Sequence, residues 1–352
     1  MASFFMMKRY RQKLLSYILL GFVFVTGSYP QCVSAESNGA NDTSGTPNLR
    51  GYIPQNFIGL VQISAKELRP YLENFNITEM AFRSGSSGGE ILNKLDIDLN
   101  QNLNNWLIIV LKDDQKPERV DTIQLVDHDI PMEKLRELIE TEYADTISID
   151  IAKEGETNIY KMQEYLSPLP QFIANHSGVT ILAQNAEAIE KVITASNERD
   201  EGTSLNWKNS YFWFYVDLTQ LKESMSDAPF DVSIMEVLEG SLTAENSINH
   251  LQFSLKTNDP PTASEWATLA NNYVPRMKAG AAREKPEALP FLETLTFRAE
   301  EGFLRMSSHF GEETMLFVME SIMESAMNRK QEIDRMQAAE EQETPKSQPA
   351  QE

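Results

Sequence analysis

The sequence predicts an α+β fold in which two related units each set helices against one face of an antiparallel sheet. Three observations predict it: a strand that runs directly into a capped helix occurs twice, each half continues in a β-α-β-β-α-β order, and the clearest turn is too short for anything but an antiparallel pair.

The first opening is Phe57 to Ile63, an apolar run of β-favouring residues followed at once by Ser64-Ala65-Lys66-Glu67-Leu68. Ser64 and Glu67 hold capping-box positions, where each side chain satisfies a backbone N–H left free at a helix start. The second opening is Tyr211 to Val216, followed by Asp217-Leu218-Thr219-Gln220-Leu221, with Asp217 at the cap and Gln220 in the reciprocal place.

In the first half, Trp106 to Leu111 and Val120 to Val126 form a β-pair around Asp113-Asp114-Gln115-Lys116-Pro117. Met132, Leu135, Leu138 and Ile139 recur at helical spacing. Strands Thr146 to Ile151, Asn158 to Met162 and Val179 to Ala183 follow, then a helix with Ile189, Val192 and Ile193 inward. In the second half, Ile248 to Leu255 alternates as a strand. Thr262-Ala263-Ser264-Glu265, after Pro260-Pro261, then caps a helix with Trp266, Leu269, Tyr273, Val274 and Met277 inward. Leu292 to Arg298 and Phe303 to Ser308 are joined by Ala299-Glu300-Glu301-Gly302, a hairpin turn. The last helix, Glu312 to Met327, carries Met315, Leu316, Met319, Ile322, Met323 and Met327 on one stripe. The order predicts two ferredoxin-like repeats, residues 51–200 and 201–330.

The flanks are of another kind. Lys8, Arg9, Arg11 and Lys13 precede an apolar run from Leu14 to Gly27, the order of an export signal. That run is about 14 residues, against about 20 needed to span a bilayer, so a cleaved signal over residues 1–35 is preferred to a retained membrane tether. Val33-Ser34-Ala35 offers small residues for peptidase cleavage before Glu36. Cys32 raises lipidation as an alternative, but Tyr29-Pro30-Gln31 before it lacks the residues that accompany that modification. Residues 36–50 read as a flexible leader and 331–352 as a disordered acidic tail, since neither holds enough apolar side chains to bury.

The 352 residues carry a formal charge of −21, and loss of the four cations of the signal makes it −25. That excess disfavours nucleic acid and anionic membrane surfaces as partners. Loss of Cys32, the one cysteine, removes disulfide and thiol chemistry from the mature chain. On Phe57 to Leu68 and Tyr211 to Leu221, the chain resembles a loose class of uncharacterised exported bacterial proteins with two related α+β repeats. The resemblance covers most of residues 51–330 and implies a periplasmic or secreted location. It brings no catalytic residues with it.

Candidate chemistry is sparse. Gly85-Ser86-Ser87-Gly88-Gly89 satisfies G-x-S-x-G, which in an α/β-hydrolase exposes a serine nucleophile, here Ser87, with His250 or His309 eligible by order as the base. The hairpins read above oppose the parallel sheet such an enzyme needs, and no Lys-Ser or Lys-Thr follows for a phosphate loop. Asp127-His128-Asp129 offers carboxylate and imidazole ligands suited to zinc or manganese. Neighbouring residues at a strand end point to opposite sides, so a solvated turn is preferred, with Asp129 capping a helix before Pro131. The aromatic run Tyr211 to Tyr215 suits a ring-stacking ligand site but is preferred as a buried central strand, and the methionine stripe is preferred as core to a partner-helix groove. Asn41, Asn76 and Asn175 meet the N-glycosylation pattern. The expectation is a non-catalytic exported protein that needs no cofactor and binds an envelope protein or a small ligand. A serine hydrolase using Ser87 and a membrane-tethered envelope protein stand as alternatives.

Overall fold

Strand β1 (Phe57–Ser64) is apolar at nearly every position and buried on both sides, the mark of a strand with neighbours across both edges and cover on both faces. The computed structural model that shows this describes residues 49–72, 98–112, 120–129, 147–154, 157–164, 171–198, 210–220 and 232–318, with 134, 137 and 140–142. The other strands are β2 (Leu103–Lys112), β3 (Val120–His128), β4 (Ile147–Glu154), β5 (Thr157–Glu164), β6 (Gln171–His176) and β7 (Val179–Ala183) in the first half. In the second half they are β8 (Ser210–Asp217), β9 (Met235–Glu245), β10 (Ile248–Thr257), β11 (Thr296–Glu300) and β12 (Phe303–Phe310). The helices are α1 (Ala65–Leu72), α2 (Leu99–Asn102), α3 (Ala186–Glu198), α4 (Pro260–Glu284) and α5 (Leu289–Thr294).

All twelve strands belong to one sheet, in the order β11-β12-β10-β9-β8-β1-β2-β3-β7-β6-β5-β4. Every neighbouring pair is antiparallel. The fold is therefore α+β. Strands β1 and β2, connected through α1, are direct antiparallel neighbours from Phe57 opposite Leu111 to Ser64 opposite Asn105. A ferredoxin-like unit sets a third strand between the two that its first helix joins, so the connectivity here is a different one.

Three two-residue turns explain the antiparallel order. Ser177-Gly178, Asn246-Ser247 and Glu301-Gly302 all have positive φ, between 50° and 83°. Backbone of that hand matches the right-handed twist of the strands it joins, which makes it the preferred hairpin link. Only the third turn falls at a hairpin expected from the sequence. Strands β6 and β9 were not among the expected elements.

Residues directly opposite one another across a ladder point to the same side. One face of the first half carries Leu60, Leu107, Ile109, Ile123, Leu125 and Ile181, packed with Ile189 and Val192 of α3 and with Leu49, Tyr52 and Ile53 before β1. Helix α3 is fixed by its cap, where the backbone N–H of Ala188 donates to Asn185 Oδ1 at 2.7 Å while Asn185 Nδ2 donates to Asp121 Oδ1 at 2.8 Å. The aromatic strand β8 divides by parity. Trp213 joins the α3-side core, and Phe214 packs on the other face, 5.6 Å from Phe253.

Helices α4 and α5 cover the face opposite to α3, through Val274, Leu292 and Leu295 against Phe297 and Met306. Three expectations are corrected there. Helix α4 starts at Pro260 rather than at a Thr262 cap, because proline is preset for the first helical turn, and Thr262 instead donates its hydroxyl to the Asp259 carboxylate. Leu269 does not point inward and is 66% exposed; the buried positions are Ala263, Ala267 and Val274. Leu292 to Leu295 are not strand, because Pro290 opens α5 and the strand begins only at Thr296.

Residues 30–312 make up one compact unit. A second, residues 1–29 and 313–352, is described over 313–318, where the chain is helical and Thr314 and Met315 are buried. The expected signal, leader and tail, and most of the expected Met132–Ile139 and Glu312–Met327 helices, lie outside the described residues.

Candidate functional site

The end of β3 carries the carboxylate–imidazole–carboxylate run, and strand geometry disperses it. Asp127 lies 5% exposed and accepts a hydrogen bond from Asn105 Nδ2 at 3.0 Å. Asp129 accepts one from Asn104 Nδ2 at 3.2 Å, and its backbone N–H donates to the Asn102 carbonyl at 2.8 Å. His128 turns to the other side of the strand, where Nε2 and Thr180 Oγ1 share a hydrogen bond of 2.9 Å. No group of three metal-ligating side chains converges among the described residues. Asp127 and His128 thus end a packed strand, while Asp129, just past it, is exposed. Burial lowers the pKa of His128 below its usual 6.5, although the charges of Asp127 and Asp129 oppose the shift.

Ser87 and its glycine-rich run lie outside the described residues, and so do Asn41 and Asn76. His176, at the β6–β7 turn, bonds through Nδ1 with Thr157 Oγ1 at 3.1 Å, and its carbonyl accepts from Tyr52 Oη at 2.8 Å. Burial pushes the Tyr52 phenol up to about 12 and draws His176 below its usual range, so both groups serve as neutral packing partners. No helix among the described residues is long and apolar enough to cross a membrane.

Strands β9, β10 and β12 build an arrangement that sequence reasoning missed. Helices α4 and α5 pack on the Met306 side of β10 and β12, while the opposite face of the three strands carries Ser241, Thr243, His250, Gln252, Ser307 and His309, all exposed or half-buried. On this face His250 and His309 are register partners, with ring centroids 6.3 Å apart and planes inclined by 34°. The alternation in Ile248 to Leu255 was the signal for this face. Its partner strand β12 was legible too, but their pairing was not.

No family model matches the chain, and no curated protein does. Among solved structures it is similar to crystal form I of TP0453, at 9% identity and a TM-score of 0.43, covering 80% of this chain and 99% of that one. Crystal form III of TP0453 gives 10% identity and a TM-score of 0.42, covering 77% of this chain and 97% of that one.

Proposed function

We propose that the chain is an exported, non-catalytic binding protein of the periplasm or cell exterior, and that the open face of β9, β10 and β12 is its contact surface. The observation that carries this reading is that face itself: hydroxyl, amide and imidazole groups, with Glu239 and Arg305 in the same register parity, on paired strands of which β10 and β12 are backed by α4 and α5. A preordered array offers directional hydrogen bonds with little ordering entropy left to lose on binding. Export rests on the residue order of the first 35 positions, and a partner in the envelope follows from that location.

We further propose that the two halves are copies of one ancestral unit, as in the loose class of exported α+β repeat proteins that the chain resembles. Two strand sequences support this: β1-β2-β3-β7-β6 leads away from the β1–β8 junction on one side and β8-β9-β10-β12-β11 on the other, with the same connectivity. Strands β4 and β5 then count as an insertion in the first copy.

The test is purification of the protein from the envelope of its host, with crosslinking before extraction. The mature N-terminus is expected at Glu36, with a discrete crosslinked species at stoichiometric yield. An isolated monomer that recovers no envelope partner and no bound small ligand would sink the binding reading.

A further inference from the structure

We infer that His250 and His309 form a two-imidazole chelating site for a late first-row divalent metal ion, Cu(II), Ni(II) or Zn(II). The inference concerns the face assigned above to binding, but needs no partner there.

The geometry begins with the ladder. His250 on β10 stands directly opposite His309 on β12, inside a run of eight consecutive register pairs from Asn249–Phe310 to Lys256–Phe303. Directly opposed residues share a face and hold their Cβ atoms about 5 Å apart, so two imidazoles there reach one point in space without backbone movement. A tetrahedral ion with metal–nitrogen distances of about 2.0–2.1 Å places two ligating ring centroids about 5.2 Å apart. The observed 6.3 Å therefore closes by about 1 Å through small side-chain rotations.

The pair is also positioned to accept an ion from solvent. His309 is exposed and His250 half-buried, leaving the remaining coordination positions to water. Backbone around the pair is braced: His309 N–H donates to Thr294 Oγ1 at 3.0 Å, and the same hydroxyl donates to the His309 carbonyl at 2.7 Å. Imidazole ligands select borderline ions over calcium and magnesium, which prefer oxygen, and affinity follows Zn(II) below Cu(II), with Ni(II) also below Cu(II). The many carboxylates of the chain, at a net charge of −21, gather cations weakly and without that preference.

The test is titration of the full mature chain with NiCl2 and ZnCl2 in excess Ca(II), followed by calorimetry, with imidazole NMR signals read during addition of substoichiometric Cu(II). One ion per chain is expected, with the His250 and His309 signals broadened first. His250→Gln and His309→Gln are each expected to weaken binding at least about tenfold while leaving the circular dichroism spectrum unchanged. Equal affinity in wild type and both variants, or Cu(II) broadening centred on His128 or His176, would overturn the proposal. The partner-crosslinking experiment reads a different event, so either result stands without the other.

Discussion

At the scale of single residues, the account turns on side chains whose surroundings leave little choice. His128 is held neutral by burial, so its folded-state pKa lies below the ordinary value of 6.5. Its contribution to stability is complete above that value. As pH falls below it, the unfolded chain takes the proton first and stability drains away until the folded form is protonated too. The urea midpoint of the wild type is expected to fall more than that of His128→Gln between about pH 7.5 and about pH 5.5, because glutamine keeps a partner for Thr180 and does not titrate. Parallel falls in the two proteins would remove His128 from that role. Gly240 faces a steric limit: a Cβ built there meets Phe214 Cε1 at 2.5 Å and Phe253 Cδ1 at 2.6 Å. Gly240→Ala is expected to cost about 1–3 kcal/mol in urea unfolding, and adding Phe214→Leu is expected to restore part of it. An additive double variant would show that the two rings are not what alanine meets.

At the scale of elements, the sheet has one edge at β11, and the molecule occupies it with a side chain. Asn271 of α4 donates Nδ2–H to the Phe297 carbonyl at 2.8 Å and accepts the Phe297 N–H on Oδ1 at 3.2 Å, the two bonds a further strand would make. Exposed edges invite pairing with other chains, and a side-chain amide here satisfies both backbone groups. Asn271→Leu is expected to speed hydrogen exchange of the Phe297 amide by at least about fivefold, the equivalent of one ordinary hydrogen bond, whereas an unchanged rate would contradict the edge assignment.

The elements also show what the sequence made legible. Strands β1, β2, β3, β7 and β8 announce themselves through β-branched and aromatic runs, β12 through the Glu301-Gly302 turn before it, and α3 through Ile189, Val192 and Ile193 at helical spacing. Strand β9 was hidden because Met235 to Glu245 carries four residues, three glutamates and a glycine, of low strand preference, and its place depends on pairing with β8 and β10. Strand β6 was hidden by its composition, since only Phe172 and Ile173 among Gln171 to His176 favour a strand, although the Ser177-Gly178 turn before the apolar β7 was a signal. Of the candidate chemistry, the splitting of Asp127 and His128 to opposite faces was legible from strand periodicity alone. The His250–His309 pair was not, because it joins residues whose register is set by tertiary pairing.

At the scale of the whole molecule, the β1–β8 ladder carries the architecture. Gly59 to Ile63 pair with Val216 to Phe212, and this junction makes one sheet of two halves, with α3 on one face and α4 and α5 on the other. The second half is thereby left with a polar face turned to solvent, and the binding account stands on that face. The most direct measurement is site-resolved photocrosslinking in the host envelope, with the reactive group placed at Gln252 on the open face or at Asn272 on α4, both exposed. The account predicts a discrete adduct from position 252 and none from position 272; equal labelling from both, or from 272 alone, would contradict it.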